Sequence, residues 1–208
     1  MLRLNLFVEN SDIHPIQERL IKQTEKESFL GHKGAVFWLY GLSGSGKSTL
    51  AIEMEKRLHK QDTHSIVLDG DNLRTGLNKD LNFSEDHRRE NVRRVSEVAK
   101  LLCENGLIVL VSLITPLKEF RESARSIIGS QNFKEIYIKA SFKTCQQRDV
   151  KGLYAKANQG LINTFTGKGS SFEEPEDADL IIESENKPLE HSAEELFKFI
   201  SSIIFQNS

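Results

Sequence analysis

Cysteine is scarce in this sequence of 208 residues, which contains only Cys103 and Cys145. Neither residue belongs to a C-x-x-C pair or to a spacing typical of metal ligands. The sequence therefore predicts no disulfide framework and no structural zinc site. Two inert thiols in helical patterns suit a reducing compartment, and we expect a cytoplasmic protein.

An excess of one charge and long apolar runs are also missing. Lys and Arg total 28 against 30 Asp and Glu, which gives a formal net charge of -2. This balance indicates no nucleic-acid partner and no anionic membrane surface. No apolar run approaches the length of a transmembrane helix, and the first ten residues lack a signal-peptide cleavage site. We expect one domain over residues 34–208, preceded by an N-terminal arm or short helix in 1–33.

The most informative stretch is Gly41-Leu42-Ser43-Gly44-Ser45-Gly46-Lys47-Ser48-Thr49, which fits the phosphate-binding pattern G-x-x-x-x-G-K-[ST]. It follows the apolar run 35–40 and opens a helical pattern, which is the context that the motif requires. The glycine-rich backbone and the helix N-terminus would surround phosphate oxygens. Lys47 would reach the β- and γ-phosphates, and the Ser48 hydroxyl would coordinate Mg²⁺. We predict that all nine residues bind a nucleotide.

Strand and helix patterns alternate along the chain. We expect strands at 35–40, 65–68, 107–114, 135–140 and 179–182, helices between them, a loop over 72–84 and a C-terminal helix over 188–204. This alternation predicts an α/β fold of the P-loop NTPase type, with three layers and a parallel sheet covered by helices on both faces. The segment of about 150–175 is rich in glycine and lysine and poor in core residues, so we predict that it is a mobile lid.

Two carboxylates, Asp69 and Asp71, follow the second strand and would meet the phosphate loop at the carboxyl edge of the sheet. Because side chains alternate along a strand, both carboxylates could point the same way across Gly70. One could assist Mg²⁺ and the other could accept the proton of a substrate hydroxyl. We therefore predict that Asp71, Lys47 and Asp69 are catalytic and that Ser48 and Asp69 bind the metal.

Cationic and aromatic side chains near these carboxylates could bind an acceptor. Arg74, Arg88, Arg93 and Arg94 could form an anion site, and Phe83 and Phe165, each in a polar loop, could stack on a base. The sequence lacks the guanine-reading N-K-x-D pattern and the second basic motif of helicases. One nucleotide site beside a lid is typical of a small-molecule kinase.

The order of these motifs resembles the adenylylsulfate kinase family, which uses ATP to phosphorylate the 3′-hydroxyl of adenosine 5′-phosphosulfate. The resemblance covers about 31–182. Besides the phosphate loop it rests on Asp69-Gly70-Asp71-Asn72-Leu73-Arg74, Phe83-Ser84, Arg88, Glu90-Asn91, Arg148-Asp149-Val150-Lys151-Gly152-Leu153-Tyr154 and Phe165-Thr166-Gly167.

The resemblance implies roles for individual residues. Arg74, Arg88 and Asn91 would hold the phosphosulfate and ribose, Phe83 and Phe165 would enclose the adenine, and Lys151 would act from the lid. Asp71 would orient the 3′-hydroxyl, and we add Ile114, at the end of the third strand, to the acceptor-binding set. The family further implies Mg²⁺ with ATP as co-substrate, a homodimer and ATP sulfurylase as a partner.

The sequence departs from the family pattern at three places. His87 stands where the family usually has Asp, and Lys168-Gly169 replaces the residues that follow its F-T-G motif. Thr115-Pro116 replaces a Ser-Pro whose serine carries phosphate in some members, so Thr115 is a candidate phospho-acceptor. Two other functions stay open: a kinase of gluconate or shikimate, and a non-catalytic regulatory module that binds a nucleotide.

Overall fold

The computed structural model describes residues 13–149, 152–158, 166 and 171–205. After a 3-10 turn at Gln17–Arg19, its elements are α1 (Gln23–Leu30), β1 (Ala35–Tyr40), α2 (Lys47–His59), β2 (Ser65–Asp69), α3 (Gly70–Arg74), α4 (Glu85–Cys103), β3 (Ile108–Ser112), α5 (Lys118–Ile128), β4 (Phe133–Lys139), α6 (Phe142–Arg148), α7 (Leu153–Asn158), β5 (Leu180–Glu183) and α8 (Leu189–Ile204). Among the described residues no helix is long and apolar enough to cross a membrane.

The five strands form one parallel sheet in the order β2-β3-β1-β4-β5. The central strand β1 is buried at every position, as its unbroken apolar sequence predicts. Its side chains alternate between two cores, because successive strand residues point to opposite faces. Phe37 and Leu39 pack with α2 and α8, while Trp38 and Tyr40 pack with α4 and α5. The predicted three-layer α/β fold is confirmed.

The predicted loop over 72–84 is wrong at its beginning, because α3 occupies Gly70–Arg74. The Asp69 carboxylate caps this short helix by accepting hydrogen bonds from the backbone N–H groups of Asp71 at 3.0 Å and Asn72 at 3.5 Å. Strand β2 therefore ends at Asp69, and strand alternation does not set the direction of Asp71. A Cβ at Gly70 would lie 2.7 Å from the Leu113 Cδ2 atom, so a larger residue there would require the Leu113 side chain to shift.

Only parts of the predicted lid are described. Residues 153–158 form α7, where Tyr154 is buried. Phe172 stacks on Tyr137 and Tyr40 with ring centroids 5.7 Å and 6.4 Å apart. The backbone N–H of Glu173 donates to the Pro116 carbonyl oxygen at 2.9 Å. Residues 171–173 are thus attached to the core, and the mobility of the lid stays a prediction.

Candidate active site

The phosphate-binding loop joins β1 to the N-terminus of α2. Gly41, Gly44 and Gly46 have φ angles of 146°, 81° and 105°, a region that favours glycine. At Gly41 a Cβ would also lie 2.4 Å from the Ile138 carbonyl oxygen. Gly46 is the N-cap of α2 and has no side chain to cap it. No side chain at the N-cap therefore competes with an anion for the N-terminus of the helix.

Three side chains from distant parts of the chain hold the carbonyl oxygens of this loop. The Tyr154 hydroxyl donates to Ser43 O at 2.8 Å, and the Ser184 hydroxyl donates to Ser45 O at 2.7 Å. The Arg148 guanidinium donates to Gly44 O at 3.3 Å. Binding of three successive carbonyl groups from outside the loop fixes the conformation of the loop.

Lys47 is folded back across the phosphate loop. Its side chain is buried, and its ammonium group donates to Gly41 O at 3.0 Å and Leu42 O at 2.8 Å. These carbonyl contacts offset part of the cost of burying the charge. A phosphate group in the cleft would give the ammonium group a stronger, charged partner.

Ser48, Asp69 and Ser112 form a cluster of oxygen ligands beside the loop. The Ser48 hydroxyl donates to Asp69 Oδ2 at 2.7 Å and lies 3.1 Å from the Ser112 hydroxyl oxygen. Burial tends to raise the pKa of Asp69, but hydrogen bonds from Ser48 and from the Asp71 N–H outweigh burial and hold that pKa below its usual value. An ionised carboxylate with hydroxyl oxygens matches the ligands that Mg²⁺ prefers. In the described ranges no group of three or more His, Cys, Asp or Glu side chains could hold a metal ion.

A cleft of about 630 Å³ runs from the phosphate loop towards α3 and α4. The predicted site residues on its wall are Ser43, Gly44, Ser45, Gly46, Lys47, Ser48, Thr49, Asp69, Asp71, Arg74, Phe83, Arg88, Asn91, Ile114 and Thr115. Gly41 and Leu42 lie at the start of the loop and do not line the cleft. Lys151 and Phe165 lie outside the described residues. The structure thus brings most of the predicted residues into one cleft.

Arg74 and Arg88 form a cationic end of this cleft. The Arg74 guanidinium lies 4.3 Å from the centroid of the Phe83 ring, and Arg88 Nη1 donates to Thr166 Oγ1 at 2.6 Å. Burial lowers the pKa of both guanidinium groups; the charge of Arg74 lowers that of Arg88 further, whereas Asp71 opposes the shift at Arg74. Two like charges held together in a half-buried cleft would be stabilised by an anion.

Arg93 and Arg94 do not line the cleft, and their part in an anion site stays a prediction. Arg93 Nε lies 2.8 Å from a carboxylate oxygen of Glu90. Arg94 lies 2.7 Å from Asp80 and 2.8 Å from Glu90. The two arginines follow Arg88 by more than one helical turn, and both pair with Glu90 along α4.

Thr115 is buried at the corner between β3 and α5, with a φ angle of 40° that is uncommon for a β-branched residue. Its hydroxyl accepts a hydrogen bond from Trp38 Nε1 at 2.9 Å. The buried Arg121 donates to the Thr115 carbonyl oxygen at 3.3 Å and pairs with Glu135 at 3.0 Å. Phosphorylation of Thr115 stays a prediction.

The Asn91 side chain is held in place by a hydrogen bond from another side chain. It is 5% exposed, and its side-chain oxygen accepts from Asn78 Nδ2 at 3.0 Å. This hydrogen bond leaves the Asn91 amide nitrogen as the group with donors to spare, which fits a residue that binds substrate oxygen.

Sequence reasoning missed several residues of the cleft. Ser112 and Ser184 directly end or follow strands, and Arg148 lies at the end of α6. The position of the two serines at carboxyl ends of parallel strands was a usable signal. The contact between Arg148 and the phosphate loop depends on the packing of α6 and had no local signal.

Comparison with known proteins finds a close family match. The family model of adenylylsulphate kinase matches residues 33–183. The adenylyl-sulfate kinase of Phocaeicola vulgatus is 44% identical over 197 residues, which cover 95% of this chain and 97% of the relative. The structure of Mycobacterium tuberculosis APS kinase in complex with AMPPNP and APS is similar with a TM-score of 0.78 and 42% identity, covering 82% of this chain and 99% of that one. A gluconokinase from Sinorhizobium meliloti, with a TM-score of 0.55 and 16% identity over 80% of this chain and 95% of its own, shares the fold alone.

Proposed function

The chain belongs to the adenylylsulphate kinase family, and we propose that it transfers the γ-phosphoryl group of ATP to the 3′-hydroxyl of adenosine 5′-phosphosulfate. The products are 3′-phosphoadenylylsulfate and ADP, in the pathway of sulfate activation. The observation that carries the proposal is a single cleft with a phosphate loop at one end and the Arg74–Arg88 pair at the other. Such a cleft suits two anionic substrates that must meet between its ends.

The donor end would hold the phosphates of ATP. The N–H groups of the phosphate loop and the N-terminus of α2 would bind the phosphate oxygens. Lys47 would exchange its contacts with the Gly41 and Leu42 carbonyl oxygens for the γ-phosphate, where its charge stabilises the transferring group.

Ser48 and Asp69 would hold Mg²⁺ together with the nucleotide. Their oxygen atoms lie 2.7 Å apart, and the low pKa of Asp69 keeps its carboxylate ionised at neutral pH. The ion would neutralise charge on the β- and γ-phosphates. Ser112, 3.1 Å from the Ser48 oxygen, would keep the serine hydroxyl oriented.

The acceptor end would hold the phosphosulfate between Arg74 and Arg88. The Phe83 side chain is 57% exposed, so the ring has area left to stack on adenine while Arg74 covers part of it. Asp71, in the first turn of α3, would orient the 3′-hydroxyl and accept its proton. The proposed set also contains Asn91 and Ile114.

Four further expectations stay predictions: the contributions of Lys151 and Phe165 from the lid, a homodimer, ATP sulfurylase as a partner and a cytoplasmic location. The regulatory-module alternative is disfavoured because Lys47, Ser48, Asp69 and Asp71 are all retained. The fold is shared with a gluconokinase, so gluconate and shikimate are the natural control acceptors.

A coupled assay of ADP release tests the proposal. ATP and Mg²⁺ are held constant, and adenosine 5′-phosphosulfate, gluconate or shikimate is added at equal concentration. We expect ADP release that depends on the phosphosulfate. With gluconate or shikimate, ADP release should stay at the background measured with ATP alone. Release that depends on gluconate or shikimate, or no acceptor-dependent release at all, would overturn the proposal.

A further inference from the structure

A closed ring of three hydrogen bonds fixes the loop before α4. The Asn82 backbone N–H donates to His87 Nδ1 at 2.9 Å, and the Ser84 backbone N–H donates to Asn82 Oδ1 at 2.8 Å. The ring closes through the His87 backbone N–H, which lies 3.4 Å from the Ser84 hydroxyl oxygen. Ser84 is the N-cap of α4, and His87 lies in its first turn. Through its acceptor Nδ1, the His87 side chain thus connects the loop to the helix.

The loop that His87 fixes also holds both arginines of the acceptor end. Arg74 Nη1 donates to the carbonyl oxygens of Leu81 at 2.9 Å and Asn82 at 3.2 Å. Arg88 Nε donates to the carbonyl oxygen of Phe83 at 2.9 Å. The carbonyl groups of residues 81–83 therefore position the two guanidinium groups. Asn82, the middle residue of the three, is also the residue whose N–H is bound by His87.

We propose that His87 is a positioning residue for the acceptor site, a role that rests on the proposed function. His87 does not line the cleft and acts through the loop of residues 81–84 on Arg74, Phe83 and Arg88. The role rests on Nδ1 as the acceptor of the Asn82 N–H, at 2.9 Å. Loss of this acceptor should therefore weaken binding of the phosphosulfate, while ATP binding at the far end of the cleft should not change.

Two substitutions separate the acceptor atom from the bulk of the side chain. In His87→Asn the amide oxygen is as many bonds from Cα as Nδ1 and can accept from Asn82. In His87→Gln the polar end lies one bond further out, which removes the acceptor while keeping polarity and good helix propensity. Gln is therefore the test variant, and Asn is the matched rescue.

Steady-state kinetics of the wild type and the two variants test the proposal. We expect His87→Gln to raise the KM for adenosine 5′-phosphosulfate about 2- to 10-fold, the effect of one lost hydrogen bond, with the KM for ATP unchanged. His87→Asn should restore the KM. An unchanged acceptor KM in His87→Gln, or an equal rise for ATP, would overturn the proposal.

Amide hydrogen exchange of residues 81–84 provides a readout that needs no turnover. We expect lower protection in His87→Gln and wild-type protection in His87→Asn, because only the first variant lacks the bond to Asn82. Equal protection in all three proteins would overturn the role of His87. Absence of turnover in the wild type would instead contradict the proposed function, so the two failures are distinguishable.

Discussion

Replacement of Asp69 by Asn separates the charge of this residue from its structural role. The Asp69 carboxylate accepts from the Ser48 hydroxyl with Oδ2 and from the Asp71 and Asn72 N–H groups with Oδ1. Asn keeps one oxygen and caps helices as well as Asp does. Its NH₂ group cannot accept from Ser48. The variant should therefore keep α3 and lose the anionic ligand beside the phosphate loop.

The expected losses in the free energy of unfolding and in kcat follow from these contacts. Loss of the Ser48 contact should lower the free energy of unfolding by about 1 kcal/mol, since the serine hydroxyl can turn to Ser112, 3.1 Å away. Asp69→Ala should lose roughly 1 kcal/mol more, because it also removes the cap of α3. The catalytic effect should be larger: loss of the charge should reduce kcat by about 10²-fold or more in both variants.

The two variants are compared by urea unfolding and by ADP release. Trp38 is the only tryptophan of the sequence and is fully buried, so its fluorescence reports unfolding. Because the pKa of Asp69 is lowered in the folded state, its stabilisation is present above the unfolded-state pKa and is lost as the pH falls through the folded value. The stability difference between wild type and Asp69→Asn should thus shrink below about pH 4. A nearly normal kcat in Asp69→Asn would refute the assigned role of Asp69.

Three further substitutions test other parts of the site. Lys47→Ala should lower kcat by about 10²- to 10³-fold in the ADP-release assay, and a loss under about 10-fold would contradict the phosphate contact. Arg88→Ala should raise the KM for adenosine 5′-phosphosulfate by about 10-fold or more at an unchanged KM for ATP, whereas equal rises would show a general disturbance. Glu135→Gln breaks the buried ion pair with Arg121, in which Arg121 Nε lies 3.0 Å from Glu135 Oε1. It should lower the free energy of unfolding by roughly 3 kcal/mol, and urea unfolding that shows less than about 1 kcal/mol would argue against a structural role.

The phosphate loop and its two flanking elements could be predicted from the sequence because their signals are local. Residues 35–40 are all apolar, and the spacing of glycine, lysine and serine in 41–49 is specific. The position of Asp69 at the end of β2 was predictable for the same reason. The helix that follows was not, since Gly70 and Asn72 favour a loop and the capping contacts of Asp69 decide the structure.

Local sequence signals could not tell which arginines of α4 lie at the candidate site. Arg88 and Arg94 are the same residue type on one helix, and only tertiary partners distinguish them. Arg88 contacts the loop carbonyl of Phe83, while Arg94 pairs with Asp80. The resemblance to a known family singled out Arg88, whereas composition alone did not. The contact of Arg148 with the Gly44 carbonyl oxygen joins residues far apart in sequence and likewise had no local signal.

The most direct test of the central claim is the position of the transferred phosphate. ATP labelled at the γ-phosphate is incubated with the protein, Mg²⁺ and adenosine 5′-phosphosulfate, and the labelled product is separated and identified, with Lys47→Ala as the matched control. We expect one labelled product phosphorylated at the 3′-hydroxyl, formed by the wild type and at least about 10²-fold more slowly by the variant. Label that appears only as free phosphate, or on another hydroxyl, would contradict it.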